Sequence, residues 1–520
     1  MKRLIPIIIG VVITAFSAGC GNSDQGAGNS VDNSDVAPKG SEEKQEISLA
    51  YWDIESAFVG DDVLSEIENK LNIELKPVNI SWDDYQQKIQ LWATSESLPD
   101  LFAGDFRTDK VFQQWSTQGI VKEIPKDLTK YPNLNEYMSD EAIVESAKID
   151  GSIYCIPRKS YGSQEWTAID RLIAYRWDLA QDAGITAEPT TWAEFDNMIQ
   201  QIIKADPEQT GIQGMTASTS ELISTLFLPY SSTIACDNKW IKNESGVYVP
   251  AYFGEDLTGS FKLMRGMYEN GTIEKDVALT NNQSSDEKFL QGKSAAMLIA
   301  GGAGANNYET VARYWEEVHG VDYLEDVKFL NLMPDEDGNL AYPATSYAWS
   351  ESFINNSVDD VKLDKILELY DYLLSEEGSL YSTYGPEDDL YNLVENKVVL
   401  KEGADVEGTY PSTSVLSNLV RWSPATYEDR FAVNFPEEYK EINKSIVEQA
   451  KTVEIPEYYP ECEEKAKVLG IDLGIKREDD IINIMTGVEP VEKMWNDIYK
   501  KYEADGLQSK IDEVNAAMGN

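Results

Sequence analysis

Apolar and polar positions along the chain follow two periods. Ile47-Ser48-Leu49-Ala50-Tyr51-Trp52 is a short apolar run, Val63, Ile67 and Leu71 then recur at a helical spacing, and Ile73-Glu74-Leu75-Lys76-Pro77-Val78 follows. The first and last read as strands and the middle as one face of a helix, so the stretch predicts a strand–helix–strand unit. Helical periodicity resumes over Trp82 to Ala93 through Tyr85, Ile89 and Trp92, and Leu98-Pro99-Asp100-Leu101-Phe102 predicts the next strand. Alternating strands and helices predict an α/β fold with a mostly parallel sheet. Thr190 or Thr191 is placed to cap a helix opening at Trp192, and Asp359 to Leu374 is strongly amphipathic. Asp150-Gly151 predicts a tight hairpin turn, Gly292-Lys293 leads from a helix into a buried strand over 295–300, and the last hundred residues read chiefly as helix.

The amino terminus changes the picture. Lys2 and Arg3 precede an uncharged apolar run from Leu4 to Phe16, too short for a comfortable membrane span, so residues 1–19 are expected to be a signal peptide. Ser17-Ala18-Gly19-Cys20 is similar to a bacterial lipobox with Ser17 where Leu is usual, which makes Cys20 the expected lipidation site. Residues 21–46 are Gly, Ser, Asn, Asp, Gln and Lys with few apolar residues, so 20–46 is expected to be a lipidated cysteine and flexible tether. Only Cys155, Cys236 and Cys462 then remain, enough for one disulfide at most.

Composition narrows the function. The chain has 520 residues, more than the roughly 250–300 that one core supports, so two or more lobes are expected. Its net charge of -47 excludes a nucleic-acid partner, which needs clustered Lys and Arg. His319 is the only histidine, which disfavours imidazole-rich metal or nucleophile sites. Twelve Trp and 28 Tyr exceed what core packing usually requires and suit the recognition of polar, flat-faced ligands.

Several motifs then fall in a familiar order. Leu98 to Phe102, Gly119 to Glu123, Asp150-Gly151-Ser152-Ile153-Tyr154-Cys155-Ile156-Pro157, Leu172 to Leu179, Gly184 to Phe195, Phe289 to Met297 (FLQGKSAAM) and Met494 to Leu507 resemble landmarks of the family 1 extracellular solute-binding proteins of ABC importers, in their large lipoprotein form. The resemblance implies a two-lobed periplasmic-binding-protein-like α/β fold with a ligand cleft between discontinuous lobes: 47–160 plus 328–376 as lobe one, 161–327 plus 377–520 as lobe two. It also implies a carbohydrate ligand, an oligosaccharide, delivered to ABC importer membrane subunits from the extracytoplasmic face of the cell membrane. The expected receptor is a monomer without enzymatic activity, cofactor or metal.

Candidate ligand residues are aromatic and polar groups at strand ends and in loops. Trp52 and Asp53 end the first strand, Asp105 follows another, and Arg158, Tyr161 and Trp166 lie at an expected hinge. Gly304 belongs to a glycine-rich loop that admits a ligand to the backbone. Trp349 and Glu351 share one ring-rich segment, and Tyr384, Glu387 and Trp422 lie in later loops. Sugar faces stack on such rings while hydroxyls need carboxylate, amide or guanidinium partners. Trp82, Trp92, Trp177, Trp192 and Trp495, at helical or motif positions, are expected in the core.

Other motifs read as scaffold. Gly301-Gly302-Ala303-Gly304 imitates a dinucleotide loop, but Asn307 replaces the third glycine. Asp335-Glu336-Asp337-Gly338 lacks calcium-loop spacing, with Ser346 at the twelfth position, and reads as a solvated turn. His319 reads as a surface or partly buried side chain. The competing functions are a lipid-anchored glycoside hydrolase, the same fold binding a peptide or cationic solute, and a transport-independent sensor or adhesin.

Overall fold

The computed structural model describes residues 44–520 except 83, 108–109, 145–146, 207–209, 219–221, 223–238, 255, 304, 336, 343, 347 and 433–434. The expected signal peptide, Cys20, most of the tether, Cys236 and Gly304 therefore lie outside the described residues.

Nine strands make two sheets: β1 (Gln45–Trp52), β2 (Ile73–Ile80), β3 (Leu101–Gly104), β4 (Ile156–Lys159), β5 (Arg171–Arg176), β6 (Gln213–Thr216), β7 (Ser294–Ala300), β8 (Val327–Phe329) and β9 (Ala348–Ile354). The first runs β2-β1-β3-β9-β4 and the second β8-β5-β7-β6. β1 pairs in parallel with β2 and β3, as strand–helix–strand units require. β9 then pairs antiparallel with both β3 and β4. In the second sheet β7 runs parallel to β6, and β5 runs antiparallel to β7 and β8. The sheets are thus mixed, not mostly parallel as expected. β9 joins the first sheet only after the chain has passed through the second and returned, so no helical crossover dictates its direction.

Local signals act where the sequence placed them. Asp61 caps the Asp62–Leu71 helix, accepting the Leu64 N–H at 2.9 Å. Thr191 caps Trp192–Ala205 through the Glu194 N–H at 3.2 Å, and Asp359 caps Asp360–Leu374 through Lys362 at 2.8 Å. Asp150 and Gly151 take φ of 51° and 72° in the hairpin between Lys148–Ile149 and Ser152–Ile153.

Two large hydrophobic cores and two smaller clusters, around Trp240 and around Tyr384, form among the described residues. Of the large cores, one gathers apolar residues from 47–156, 348–374 and 410–420, the other from 161–344 and 435–491. Two lobe limits differ from the sequence reading. The segment from 328 to 344 belongs with the second core, since β8 pairs with β5 and Phe329, Leu330, Met333 and Tyr342 are buried there. Tyr410, Val415, Leu416 and Leu419, expected in lobe two, pack in the first core. The chain consequently passes between cores at three places, near 159–161, 344–348 and 420–427. Cys155 and Cys462 are buried free thiols.

Candidate ligand cleft

The three crossings lie side by side. Ala348 pairs with Lys159, and Lys159 bridges to Arg421. The Trp422 N–H donates to the Lys159 carbonyl at 2.7 Å, and the Trp349 N–H to Ser160 Oγ at 3.3 Å. Two expected site residues, Trp349 and Trp422, are thereby held by backbone against a third segment. The register of β9 slips between Ala348 and Glu351, and Ser350 takes φ of 57°. Such a bulge turns side chains away from strict alternation and re-aims the neighbouring ring.

Trp52, at the carboxyl end of β1, meets these rings. Trp82 stacks on it with centroids 4.6 Å apart and planes 7° apart. Trp349 is near-parallel to both, 6.0 Å from Trp52 and 5.8 Å from Trp82. Trp422 stands edge-on, 6.2 Å from Trp82 and 5.6 Å from Trp349. Trp52 is buried, Trp349 and Trp422 are half-buried, and Trp82 is 47% exposed, so the cluster opens to solvent through Trp82. Near-parallel indoles with one upright neighbour offer apolar faces to a flat ring.

Trp82 was expected in the core and is the main residue missed. The helix begins at Tyr85, and Ser81 binds Asp84 Oδ1 through its N–H at 3.1 Å and its hydroxyl at 2.7 Å. Trp82 therefore sits in the turn before the helix, off its apolar face. Asp84, a residue type favoured immediately before a helix, was the available signal of a start at Tyr85.

Beneath the cluster lies Arg158, fully buried on β4. Its guanidinium carbon is 5.2 Å from the Tyr51 ring centroid, 5.3 Å from Trp52 and 5.8 Å from Trp422. Glu351 is also fully buried, accepting the N–H groups of Phe106 at 2.6 Å and Arg107 at 2.7 Å. Arg107 Nη1 is 4.0 Å from its second oxygen, and Nη2 donates to the Ala348 carbonyl at 2.9 Å. Burial pushes the Glu351 carboxyl up to about 7 against the opposing pull of Arg107, and Asp105 nearby adds to the rise. Glu351 thus braces the loop after β3, where half-buried Asp105 lies.

On the second-core side, Tyr161 is buried and donates to Asp170, and half-buried Trp166 lies in the turn Gln164–Ile169. Gly162 lets this crossing approach the next, since a Cβ there would lie 3.3 Å from Tyr427 and 3.5 Å from Trp166. Asp53 is exposed with φ of 53°, its N–H held by the Ile80 carbonyl at 2.9 Å. Tyr384 is buried in a satellite cluster with Tyr391 and Phe431, its hydroxyl donating to Ala432 at 2.8 Å, and Glu387 is exposed near it. The structure therefore gathers Trp52, Arg158, Trp349 and Trp422, and leaves Tyr384 and Glu387 out of that cluster.

The motifs read as scaffold also find places. Asp335 accepts the N–H groups of Asp337 and Asn339 in a turn closed by a Pro334–Leu340 bridge. His319 is half-buried, stacked 3.9 Å from Trp315.

A chain that forms two mixed sheets around separate cores, with a ring-lined edge at the crossings, has the architecture of a two-lobed solute-binding protein. A model of the bacterial extracellular solute-binding protein family matches residues 63–385, and the chain belongs to that family. It is 23% identical over 426 residues to the polygalacturonan/rhamnogalacturonan-binding protein YtcQ of Bacillus subtilis (strain 168), covering 80% of each chain. It is 27% identical over 317 residues to the diacetylchitobiose binding protein DasA of Streptomyces coelicolor, covering 60% of this chain and 66% of that one. The crystal structure of the alginate-binding protein AlgQ2 superposes with a TM-score of 0.68 at 14% identity, over 92% of this chain and 99% of that one, so the two share a fold.

Proposed function

We propose that this protein is a lipid-anchored extracytoplasmic receptor that binds an oligosaccharide between its lobes and delivers it to the membrane subunits of an ABC importer. The carrying observation is the cluster of Trp52, Trp82, Trp349 and Trp422 where the three crossings meet. Rings at a strand's carboxyl end, beside segments that can act as a hinge, suit a ligand held by stacking and enclosed by lobe rotation. The relatives whose names specify polygalacturonan, rhamnogalacturonan and diacetylchitobiose support a carbohydrate ligand. The lipobox-like Ser17 to Cys20 and the polar stretch after it support the anchor. On this reading the protein acts as a monomer and carries out no reaction. Lobe one comprises 47–158 with 348–420 and lobe two most of the remainder.

A thermal-shift screen of Lys44–Asn520, one compact unit, against oligosaccharides, peptides and polyamines tests the reading. A ligand that binds only the folded form adds about 2.7 kcal/mol at a hundredfold excess over Kd. A shift with an oligosaccharide that is recovered intact is expected. Its conversion to shorter products would instead establish a hydrolase, and shifts confined to peptides or polyamines would keep the fold and remove the sugar.

A further inference from the structure

Arg107, Arg158, Arg176 and Arg265 are all buried. Three have at least one acceptor each, although Arg107 Nε and Nη1 and Arg176 Nη1 have none among the described residues. Arg107 has Glu351 and the Ala348 carbonyl, Arg176 Nε meets Asp178 at 2.8 Å, and Arg265 Nε meets the Ile484 carbonyl at 2.8 Å. Arg158 differs. Neither its Nε nor its Nη1 nor its Nη2 has a hydrogen-bond partner among the described residues, and no carboxylate there stands within ion-pair distance of it. Two of its neighbours share the condition: Tyr51 Oη and Trp52 Nε1 are buried without a partner among the described residues.

Rings alone do not settle a buried guanidinium. Cation–π contact with Tyr51, Trp52 and Trp422 acts on the flat face of the guanidinium. The five N–H donors lie in the plane, and removing them and the charge from water is unfavourable when nothing accepts them. The donor fork of arginine matches a carboxylate, two parallel N–H···O bonds to two oxygens. Two of the three rings around Arg158 belong to the tryptophan cluster, so a ligand that parts those rings reaches the guanidinium, which is fully buried in this structure.

We propose that the bound oligosaccharide is acidic, with the carboxylate of a uronic acid residue taken by Arg158 as its counter-ion while the sugar ring stacks on the tryptophans. This rests on the oligosaccharide reading above and names the class of sugar. Tyr51 Oη and Trp52 Nε1 are the neighbouring donors for the same group. The net charge of -47 does not oppose it at contact range. Exposed charges are screened beyond about 8 Å at physiological salt, whereas a pair formed out of water is screened far less. The acidic surface acts on the rate of encounter, and the buried pair on how long the complex lasts.

The test is calorimetry of the full chain against uronate trisaccharides (galacturonate, glucuronate, mannuronate and guluronate) and their carboxyl-reduced neutral counterparts. The readout is the affinity ratio of each acidic sugar to its neutral form. A ratio of about 100 is expected for at least one pair, collapsing towards 1 in Arg158→Gln and kept in part in Arg158→Lys. Trp82→Ala is expected to weaken both forms and preserve the ratio. Because Arg158 has no partner to lose among the described residues, the melting temperature of ligand-free Arg158→Gln is expected at or above that of the parent; a marked fall would assign Arg158 to the scaffold and overturn the proposal. Equal or tighter binding of neutral sugars, or a ratio that survives Arg158→Gln, would also overturn it while leaving the oligosaccharide reading intact. Failure of both forms to bind, with peptides or polyamines binding instead, would remove both readings together.

Discussion

Trp349 and Glu351 stand two residues apart on one strand and do opposite work. In a regular strand they would share a face. The bulge at Ser350 separates them, so Trp349 joins an open group of rings while Glu351 turns into a closed polar knot with Arg107 and the N–H groups of Phe106 and Arg107. In the knot one Glu351 oxygen takes two N–H groups and Arg107 reaches the Ala348 carbonyl, while Glu351 Oε2 and Arg107 Nε and Nη1 have no hydrogen-bond partner among the described residues and meet only as an ion pair. Around Arg158 and Trp52 the buried polar side-chain atoms are left unmet among the described residues and the Trp82 ring of the cluster is exposed, which is what the proposed site rests on. The two regions differ in degree: Arg107 has one hydrogen-bonded side-chain nitrogen and a facing carboxylate, and Arg158 has neither among the described residues.

The comparison breaks most severely at Glu351. Glu351→Ala leaves the Arg107 charge buried and two backbone N–H groups unmet, and about 3–5 kcal/mol of stability is expected to be lost in denaturant unfolding. A mild loss would mean that the knot does not brace the loop.

The same carboxyl makes stability depend on pH. Buried beside Arg107, Asp105 and Cys155, it stays protonated up to about 7 in the folded chain, whereas unfolded it ionises near its ordinary 4.5. Between these values the folded state holds a proton that the unfolded state has released, so stability falls as pH rises through this window, by on the order of 3 kcal/mol in all, and is lowest above it. Glu351→Gln keeps an oxygen for both N–H groups and is expected to flatten the slope between pH 5 and 8. An unchanged slope would place the titration elsewhere.

On the site side, Trp82→Ala is expected to cost about 2 kcal/mol of ligand affinity with little change in stability, because the ring is 47% exposed and stacked only on other cluster members. Calorimetry with unchanged affinity would move the ligand off the cluster.

Much of this was legible in the chain. The first strand, the capped helices at 62, 192 and 360 and the Asp150-Gly151 hairpin are local decisions, written in spacing and in side chains that satisfy a few backbone groups. Trp52, Trp349 and Trp422 were singled out from strand ends and ring-rich loops, and the structure brings their rings together. Trp82 was hidden by a helical period that runs three residues past the true helix start. The antiparallel entry of β9 and the return of 410–420 to the first core depend on contacts distant in sequence, and no local pattern encodes them. The orphaned state of Arg158 is of the same kind, since only the assembled structure reveals that no carboxylate among the described residues comes to meet it.

Tyr384 makes the finest test of the same distinction. From sequence it resembles the other loop aromatics, followed by Gly385-Pro386-Glu387. In the structure it is a core residue of a small cluster, its hydroxyl satisfied by the Ala432 carbonyl at 2.8 Å and its ring tilted against Tyr391 and Phe431. Tyr384→Phe removes one donor and leaves a carbonyl to find another partner, so about 1 kcal/mol of stability is expected to be lost. Ligand affinity is expected to stay within error of the parent protein. A weakening comparable to that of Trp82→Ala would extend the cleft to this cluster and show that a satisfied aromatic can still serve the ligand.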